Sequence, residues 1–300
     1  MTPQPPAVSV IMRSFNEAWA VGDTIRQLFA QNFGGEIELI VIDSGSSDGS
    51  IEIINQATPA KLIQIPLGTY VPGVVLNRGA RAASHEWLVY LNADATPVGD
   101  TWLTELLAPC LANPNVGAGF SRQIPRPDCQ AVFAHDYDRC FGPARQSTHW
   151  EHFFSMVSSV AHRSVLDKHP IREDLQYAED DEWTRRLVSH GLEVAYAANS
   201  VVMHSHNYSL RQAYQRAFGD AKAMAAAGTL ETPVAVPLGW LADAVRDGRW
   251  CLQHHRLSGL PYAIGVRLAQ RLGRRDGHRA GGKLSQRGNG PCAPTAAPDA

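Results

Sequence analysis

Four groups of side chains carry most of the chemistry that this 300-residue sequence offers. Asn92-Ala93-Asp94 sets two oxygen-bearing side chains two residues apart, and on an extended strand such positions share a face. Hard oxygen donors suit Mg²⁺ or Mn²⁺, which keep open positions for phosphate oxygens; the same triplet also serves as an ordinary polar turn. His204 and His206 repeat the spacing. Their imidazoles could complete a metal shell begun by Asp94, or simply pack or face solvent. Glu179-Asp180-Asp181-Glu182 gathers four acids. At a helix start the macrodipole stabilises them, and beside a crevice one could take a proton from a hydroxyl. Asp43 ends an apolar run and precedes Ser44-Gly45-Ser46-Ser47-Asp48-Gly49. It can accept hydrogen bonds from a nucleobase or a ribose, or it can hold its own turn.

The apolar pattern describes the scaffold that must position these groups. Residues 8–12, 39–42, 62–65 and 87–91 are short aliphatic runs, as buried parallel strands should be. Residues 18–31, 50–56, 77–84 and 101–111 read as helices between them. In the first, Val21, Ile25, Leu28 and Phe29 share a side and Gly34-Gly35 is the stop. Alternation of this kind predicts a mostly parallel α/β sheet covered on both faces, with ligands at the carboxyl ends of its strands. Asp43 and Asp94 fall there by position. Residues 119–178 lose the pattern and gather proline and aromatic residues, as segments that shape binding sites do. A helix then opens at the acidic run and closes at His190-Gly191, followed by strand-like segments at 193–196 and 200–204. The loop Arg13-Ser14-Phe15-Asn16-Glu17 is not the GxGxxG of a dinucleotide-binding unit, which excludes NAD.

Apolar residues make up 44% and charged residues 19%, a composition that supports a sizeable core and excludes disorder along most of the chain. Five scattered cysteines without a CxxC pair argue against a disulfide scaffold or structural zinc and suit a reducing compartment. No apolar run reaches about 18 residues and no signal-peptide pattern stands at the start, so a cytoplasmic protein is expected. The net charge of −2 conceals an asymmetry. From Arg246 to Arg287, ten Lys and Arg face only Asp247 and Asp276. Trp240, Trp250, Leu252, Leu257, Tyr262 and Leu268 interleave with Arg246, Arg249, Arg256, Arg267 and Arg271. Such a stretch either lies on an anionic membrane surface or packs as a helical extension with a solvated basic face. The acidic remainder of the chain speaks against nucleic acid as a partner. The expected organisation is an α/β domain over 1–228, a basic amphipathic helical extension over 229–287 and a disordered tail over 288–300.

Taken in order, several runs resemble the family 2 glycosyltransferases, inverting enzymes of the GT-A fold, and particularly their rhamnosyltransferase-like branch. They are Val8-Ser9-Val10-Ile11-Met12-Arg13-Ser14-Phe15-Asn16-Glu17, Val41-Ile42-Asp43-Ser44-Gly45-Ser46-Ser47-Asp48-Gly49-Ser50, Asn77-Arg78-Gly79-Ala80 and Leu91-Asn92-Ala93-Asp94-Ala95-Thr96-Pro97. Phe120-Ser121-Arg122-Gln123-Ile124-Pro125, Tyr177-Ala178-Glu179-Asp180-Asp181-Glu182-Trp183 and His204-Ser205-His206-Asn207-Tyr208-Ser209 follow. The resemblance implies a Rossmann-like, mostly parallel sheet flanked by helices. It implies transfer of a sugar from a nucleoside diphosphate donor to a hydroxyl of a glycan or lipid-linked acceptor, in surface polysaccharide biosynthesis. The enzyme would be cytoplasmic, peripheral on the inner face of the plasma membrane, and would use Mg²⁺ or Mn²⁺.

By the same resemblance Asp43 would contact the nucleobase, and Arg13, Phe15 and Glu17 would line the nucleotide pocket, joined by Asn77, Arg78 and Asn92. Asp94 would bind the metal with His204 and His206. Asp180 would be the catalytic base, with Asp181 the alternative, and Arg186 would face the diphosphate. Asn92 replaces the first acid of the family's DxD-type motif. That replacement motivates a second reading, an inactive nucleotide- or glycan-binding module. A sugar nucleotidyltransferase is the third, and it would need a glycine-rich basic loop where Arg13 to Glu17 stand.

Overall fold

The computed structural model describes residues 5–59, 61–142, 153–226 and 235–288, and the chain divides into two compact units, Met1–Asn207 and Tyr208–Ala300. The first begins with the expected alternation: β1 (Val8–Ser14), α1 (Val21–Phe29), β2 (Ile37–Asp43), α2 (Ser50–Gln56), β3 (Lys61–Gln64), α3 (Pro72–Ala82) and β4 (Trp87–Asn92). β5 (Thr96–Pro97), α4 (Trp102–Ala112), β6 (Val116–Ile124), α5 (Ala131–Cys140), β7 (Ser158–His162), α6 (Arg163–Lys168), α7 (Glu179–Ser189) and β8 (Glu193–Met203) complete it. The eight strands form one sheet in the order β3-β2-β1-β4-β7-β6-β8-β5. β3, β2, β1 and β4 run parallel, β7 is antiparallel to both its neighbours, and β6 and β8 are parallel.

Strand side chains alternate between the two faces. Val8, Val10, Met12, Val41, Val89 and Leu91 pack in one layer with α1 and α4, where Trp102 is fully buried. Ile11, Ile42, Leu88 and Tyr90 face the other layer, built on α3 and α7 with Trp183 at its centre. Phe29, expected on the buried side of α1, is half exposed. Helix α3 starts earlier than expected because Pro72, which lacks an N–H, occupies its first turn. The segment 119–178 departs from expectation most. It contains β6, α5, β7 and α6, whose short, partly polar sequences hide their periodicity. The segments 193–196 and 200–204 form a single irregular strand, β8, with register shifts where it pairs with β6.

A clasp fixes the approach to α7. The amide of Asn77 donates to the Ile171 carbonyl (2.7 Å) and to Glu173 Oε1 (3.0 Å), and its Oδ1 accepts from the Ile171 N–H (3.2 Å). One turn earlier on α3, a Cβ on Gly73 would collide with the Arg172 carbonyl. Ala178 then takes the left-handed conformation (φ 58°) and turns the chain into α7. That conformation is uncommon for a residue with a Cβ.

The second unit contains α8 (Leu210–Ala226), α9 (Val236–Gln253) and α10 (Leu260–Gly288). Helix α8 belongs with this unit, so the boundary lies at Asn207–Tyr208 and not near residue 228. The reason is a seam of small residues. Ala213, Ala217, Ala221 and Ala225 recur every four residues along α8 and are buried. Gly273, Gly277 and Gly281 recur likewise along α10, where a Cβ would meet the carbonyls of Tyr214, Phe218 and Lys222. Two i±4 ridges without bulk let the backbones approach closely. Much of the expected basic face turns inward. Arg267 donates to both carboxylate oxygens of the buried Asp247 (2.7 and 3.1 Å), and Arg271 and Arg246 pair with Asp243 (2.7 and 2.6 Å). Leu238, Leu241, Val245 and Leu252 form an exposed stripe along α9, beside the exposed Arg249. Among the described residues no helix is long and apolar enough to cross a membrane. Of the expected tail over 288–300, Gly288 is the last residue of α10 and residues 289–300 lie outside the described residues.

The seam predicts opposite outcomes for two neighbouring glycines. Gly277→Ala gains about 1 kcal/mol of helix propensity but overpacks against backbone at a cost of about 1–3 kcal/mol, so the unfolding midpoint of this unit falls. Gly282→Ala, whose Cβ would meet nothing within 4 Å, raises it. Denaturant unfolding followed by circular dichroism reads both.

Candidate active site

The site is set by strand register. Arg13 pairs with Asn92 across β1 and β4, so their side chains stand beside each other at the carboxyl ends of parallel strands. The Arg13 guanidinium donates through Nε and Nη2 to Asn92 Oδ1 (3.1 and 2.8 Å) and through Nη1 to the Tyr70 hydroxyl (3.0 Å). Glu179 Oε1 lies 3.9 Å from Nη1. Burial works against the arginine's charge, yet Tyr70, Glu179 and Asp180 outweigh it and hold its pKa above the ordinary value. Asn92 is thereby the acceptor for Arg13. The expectation that it shares an ion with Asp94 is corrected: the two residues sit on one strand end, but their side chains serve different partners.

Asp94 has its own set. β5 follows it directly and pairs Thr96 with Met203, which brings the residues after β8 alongside. Asp94 is fully buried, with Oδ2 3.3 Å from His206 Nε2 and 3.5 Å from His204 Nε2. One ligand atom from each residue fits within 4.8 Å of the others. The Nδ1 of His204 lies 2.9 Å from Gln123 Oε1 and 3.0 Å from the Tyr137 hydroxyl. Gln123 uses its amide nitrogen on Ser155 (2.8 Å), so its oxygen accepts and Nδ1 carries the proton. The Nε2 lone pair of His204 therefore points toward Asp94, the tautomer a metal needs. Both carboxylate oxygens of Asp94 lack a hydrogen-bond donor among the described residues. A buried carboxylate facing two imidazoles asks for a cation, and the three residues fit a divalent one. Burial and then the charge of Asp94 push the nearby Glu17 carboxyl up to about 8, against the Phe15 N–H and Arg13.

The loops after β1 and β2 lock together. Asn16 (φ 54°) donates its N–H to Ser46 Oγ (2.8 Å) and accepts from the Ser47 N–H (2.9 Å). The N–H groups of Glu17 and Ala18 reach Ser50 Oγ and Asp48 Oδ2, both at 2.9 Å. The carboxylate of Asp43 accepts from the Gly45 and Ser46 N–H groups (3.0 and 2.9 Å) and the Ser46 hydroxyl (2.5 Å), so it holds its own turn. Phe15 stands half exposed beside this pair of loops. Asn77 is consumed by the clasp on α3, a positioning role in place of the expected nucleotide contact, and Arg78 is exposed there.

Helix α7 separates its acids. Asp181 pairs with Arg185 (2.8 Å) and Glu182 with Arg186 (2.9 Å), both one turn on. Arg186 also donates to the Pro170 carbonyl (2.8 Å), so its intramolecular contacts brace the helix. Asp180 accepts only the Asp181 N–H (3.0 Å) among the hydrogen bonds recorded for its carboxylate. Burial first, then Glu179 and Asp181, push its pKa up to about 7, while Arg13 and that N–H pull it down. Tyr70, Gln123 and Tyr137 had no signal in the sequence, because each acts through a neighbour distant along the chain.

A mostly parallel sheet thus carries a one-acid, two-histidine group at its strand ends, and likeness to known proteins gives the class. The sequence profile of glycosyl transferase family 2 matches residues 9–169, more than half of the chain, and the chain belongs to that family. It is a glycosyltransferase. The O-antigen chain rhamnosyltransferase WbaN of Salmonella anatum is 27% identical over 224 residues, covering 71% of this chain and 70% of that one. The O-antigen chain rhamnosyltransferase RfbN of Salmonella typhimurium is 27% identical over 194 residues, 60% of this chain and 61% of that one. Among solved structures, the mannosyltransferase PcManGT from Pyrobaculum calidifontis, in complex with GDP-Man and Mn²⁺, superposes with a TM-score of 0.58 at 20% identity. That match covers 89% of this chain and 74% of that one. Glucosyl-3-phosphoglycerate synthase from Mycobacterium tuberculosis, with Mn²⁺ and UDP, gives 0.52 at 17% identity, covering 76% and 82%. These structures establish the fold as GT-A.

Because Arg13 lowers the Asp180 pKa, Arg13→Met should move it upward from about 7, and Asp181→Asn should move it downward. Carboxyl ¹³C titration by NMR on the metal-free chain measures both shifts.

Proposed function

We propose that the chain is an inverting, metal-dependent glycosyltransferase that moves a deoxyhexose such as rhamnose from a nucleoside diphosphate to a hydroxyl of a growing surface polysaccharide. The observation that carries this reading is the placement of Asp94, His204 and His206 at the strand ends, with Asp180 beside the Arg13 network. The rhamnosyltransferases of O-antigen synthesis among its relatives support the sugar class. Mixed carboxylate and imidazole donors favour Mn²⁺ over Mg²⁺.

A divalent ion held by Asp94, His204 and His206 supplies Lewis-acid stabilisation of the negative charge on the departing diphosphate. Asp180 takes the proton of the acceptor hydroxyl on its carboxylate as that oxygen attacks the anomeric carbon, and one displacement inverts the configuration. A base needs a pKa near the working pH, and burial among acids supplies it. Arg13 lowers the Asp180 pKa that burial raises. Asp181, paired with Arg185, is the poorer base. The loops held by Asp43 and Asn16 form the floor for the nucleoside, with Phe15 as a stacking edge.

Transfer should require Mn²⁺ and be lost with EDTA, and a panel of nucleoside diphosphate sugars should give turnover with deoxyhexose donors, the product anomer read by NMR. Asp180→Asn should lower the rate about 10²–10⁴-fold while leaving donor affinity nearly intact. In the parent chain kcat/KM should rise with pH through about 7, because only the ionised carboxylate accepts a proton. Full activity of Asp180→Asn would overturn the assignment.

The α9 stripe of Leu238, Leu241, Val245 and Leu252 with Arg249 is the surface we assign to the cytoplasmic face of an anionic membrane, where a lipid-linked acceptor would be presented. Flotation with anionic vesicles should recover the parent chain, and Leu241→Glu should abolish recovery. Equal recovery of both would remove the membrane role.

A further inference from the structure

One cation beside the metal-ligating residues has no part in the reading above. Arg126 lies between Ile124, where β6 ends, and α5. The Arg126 N–H donates to Ser205 Oγ (3.0 Å), the residue between the two histidines, and its Nη2 donates to the Asp94 carbonyl (2.5 Å). The surrounding loop is fastened to the same segment. His204 N–H donates to the Ile124 carbonyl (3.0 Å), and the Asn207 side chain bridges Gln130 N–H (2.8 Å) and the Asp128 carbonyl (3.1 Å). The guanidinium carbon sits 4.5 Å from the ring centroid of Trp19. Trp19 is 58% exposed, although it stands in the loop that Asp48 and Ser50 hold down.

Two features of this arginine point to an anionic ligand. Among the described residues no carboxylate lies within ion-pair distance of it, whereas Arg13, Arg185 and Arg186 each have one. Its Nε is buried and lacks an acceptor. An uncompensated guanidinium with a spare donor, backed by an aromatic face and tied to the residues that hold a cation, is a built anion site. The charge balance agrees. Asp94 is the single carboxylate of the ligand group, so a divalent ion there keeps excess positive charge and Arg126 adds to it.

We propose that Arg126 binds the diphosphate of the sugar donor and of the departing nucleotide, and that Trp19 is a positioning residue that holds the guanidinium in place. This rests on the transferase reading above. Arg126 takes the part that the sequence suggested for Arg186. The indole fixes the plane of the guanidinium, so that its terminal N–H groups not used on the Asp94 carbonyl can reach phosphate oxygens.

Calorimetry with Mn²⁺ present, using UDP, GDP and dTDP and then the matching nucleoside, tests this. For the diphosphate that the parent chain binds, Arg126→Gln should weaken affinity about tenfold to a hundredfold, the range for a lost charge-assisted contact. Nucleoside affinity and Mn²⁺ binding alone should not change. Arg126→Lys should recover part of the loss, and Trp19→Leu should give a smaller loss of the same pattern. Unchanged diphosphate affinity in Arg126→Gln, or an equal loss for nucleoside or for Mn²⁺ alone, overturns the proposal and leaves Arg126 as a tether for Asp94. A parent chain that binds none of the three diphosphates with Mn²⁺ overturns the transferase reading together with it.

Discussion

The arrangement of unit one depends on a single buried guanidinium. Arg13 stands near the end of β1, and its Nε, Nη1 and Nη2 reach a neighbouring strand through Asn92 and a loop through Tyr70. Its charge faces the first turn of α7. Moving a cation out of water is expensive unless hydrogen bonds and opposite charge replace the solvent. Here Glu179 and Asp180 supply the charge, and the arginine in turn lowers the pKa of Asp180, which burial raises. The acids and the arginine therefore specify one another. Neither could be buried alone at this depth.

That mutual dependence recasts the asparagine in the DxD-type motif. A carboxylate at position 92 would compete for Arg13 with Glu179 and would add negative charge beside Asp94 and Glu17. An amide oxygen accepts the two guanidinium hydrogen bonds without adding charge. The ligand group then leans on imidazole, and the Gln123–His204 hydrogen bond shows how the fold prepares that nitrogen. A neutral residue at the first position and two histidines at the far end of the sheet are two halves of one electrostatic solution.

Much of this was legible in the chain. The i, i+2 spacing marked His204 and His206 as a pair, and an apolar run marked Asp94 as a strand-end acid. That the three belong together came from the resemblance, and the fold brings their ligand atoms within 4.8 Å of one another. The first four strands and their helices were legible because periodicity acts over a few residues and needs no tertiary knowledge. The fate of Asn92 was not, since its partner comes from register with a strand some eighty residues earlier, and register is invisible in a linear pattern. The intramolecular contacts of Asn77 and Arg186 were not legible either, because a motif names a side chain but not the backbone carbonyls that reach it. Helix α8 was assigned to the wrong unit because its alanines, and the glycines that meet them, read as weak apolarity and not as an interface.

The glycine–alanine seam between α8 and α10 has a thermodynamic consequence. Helices held by backbone proximity hide little hydrocarbon from water, since neither partner contributes a large side chain at the points of closest approach. The heat-capacity change of unfolding follows the apolar area exposed, and so does sensitivity to denaturant. The helices of the second unit therefore unfold with a smaller heat-capacity change per residue than the layered sheet of the first, where the large side chains of Trp102 and Trp183 are fully buried. Their free energy of folding follows a flatter curve in temperature, so cooling weakens the sheet domain sooner than the helical one.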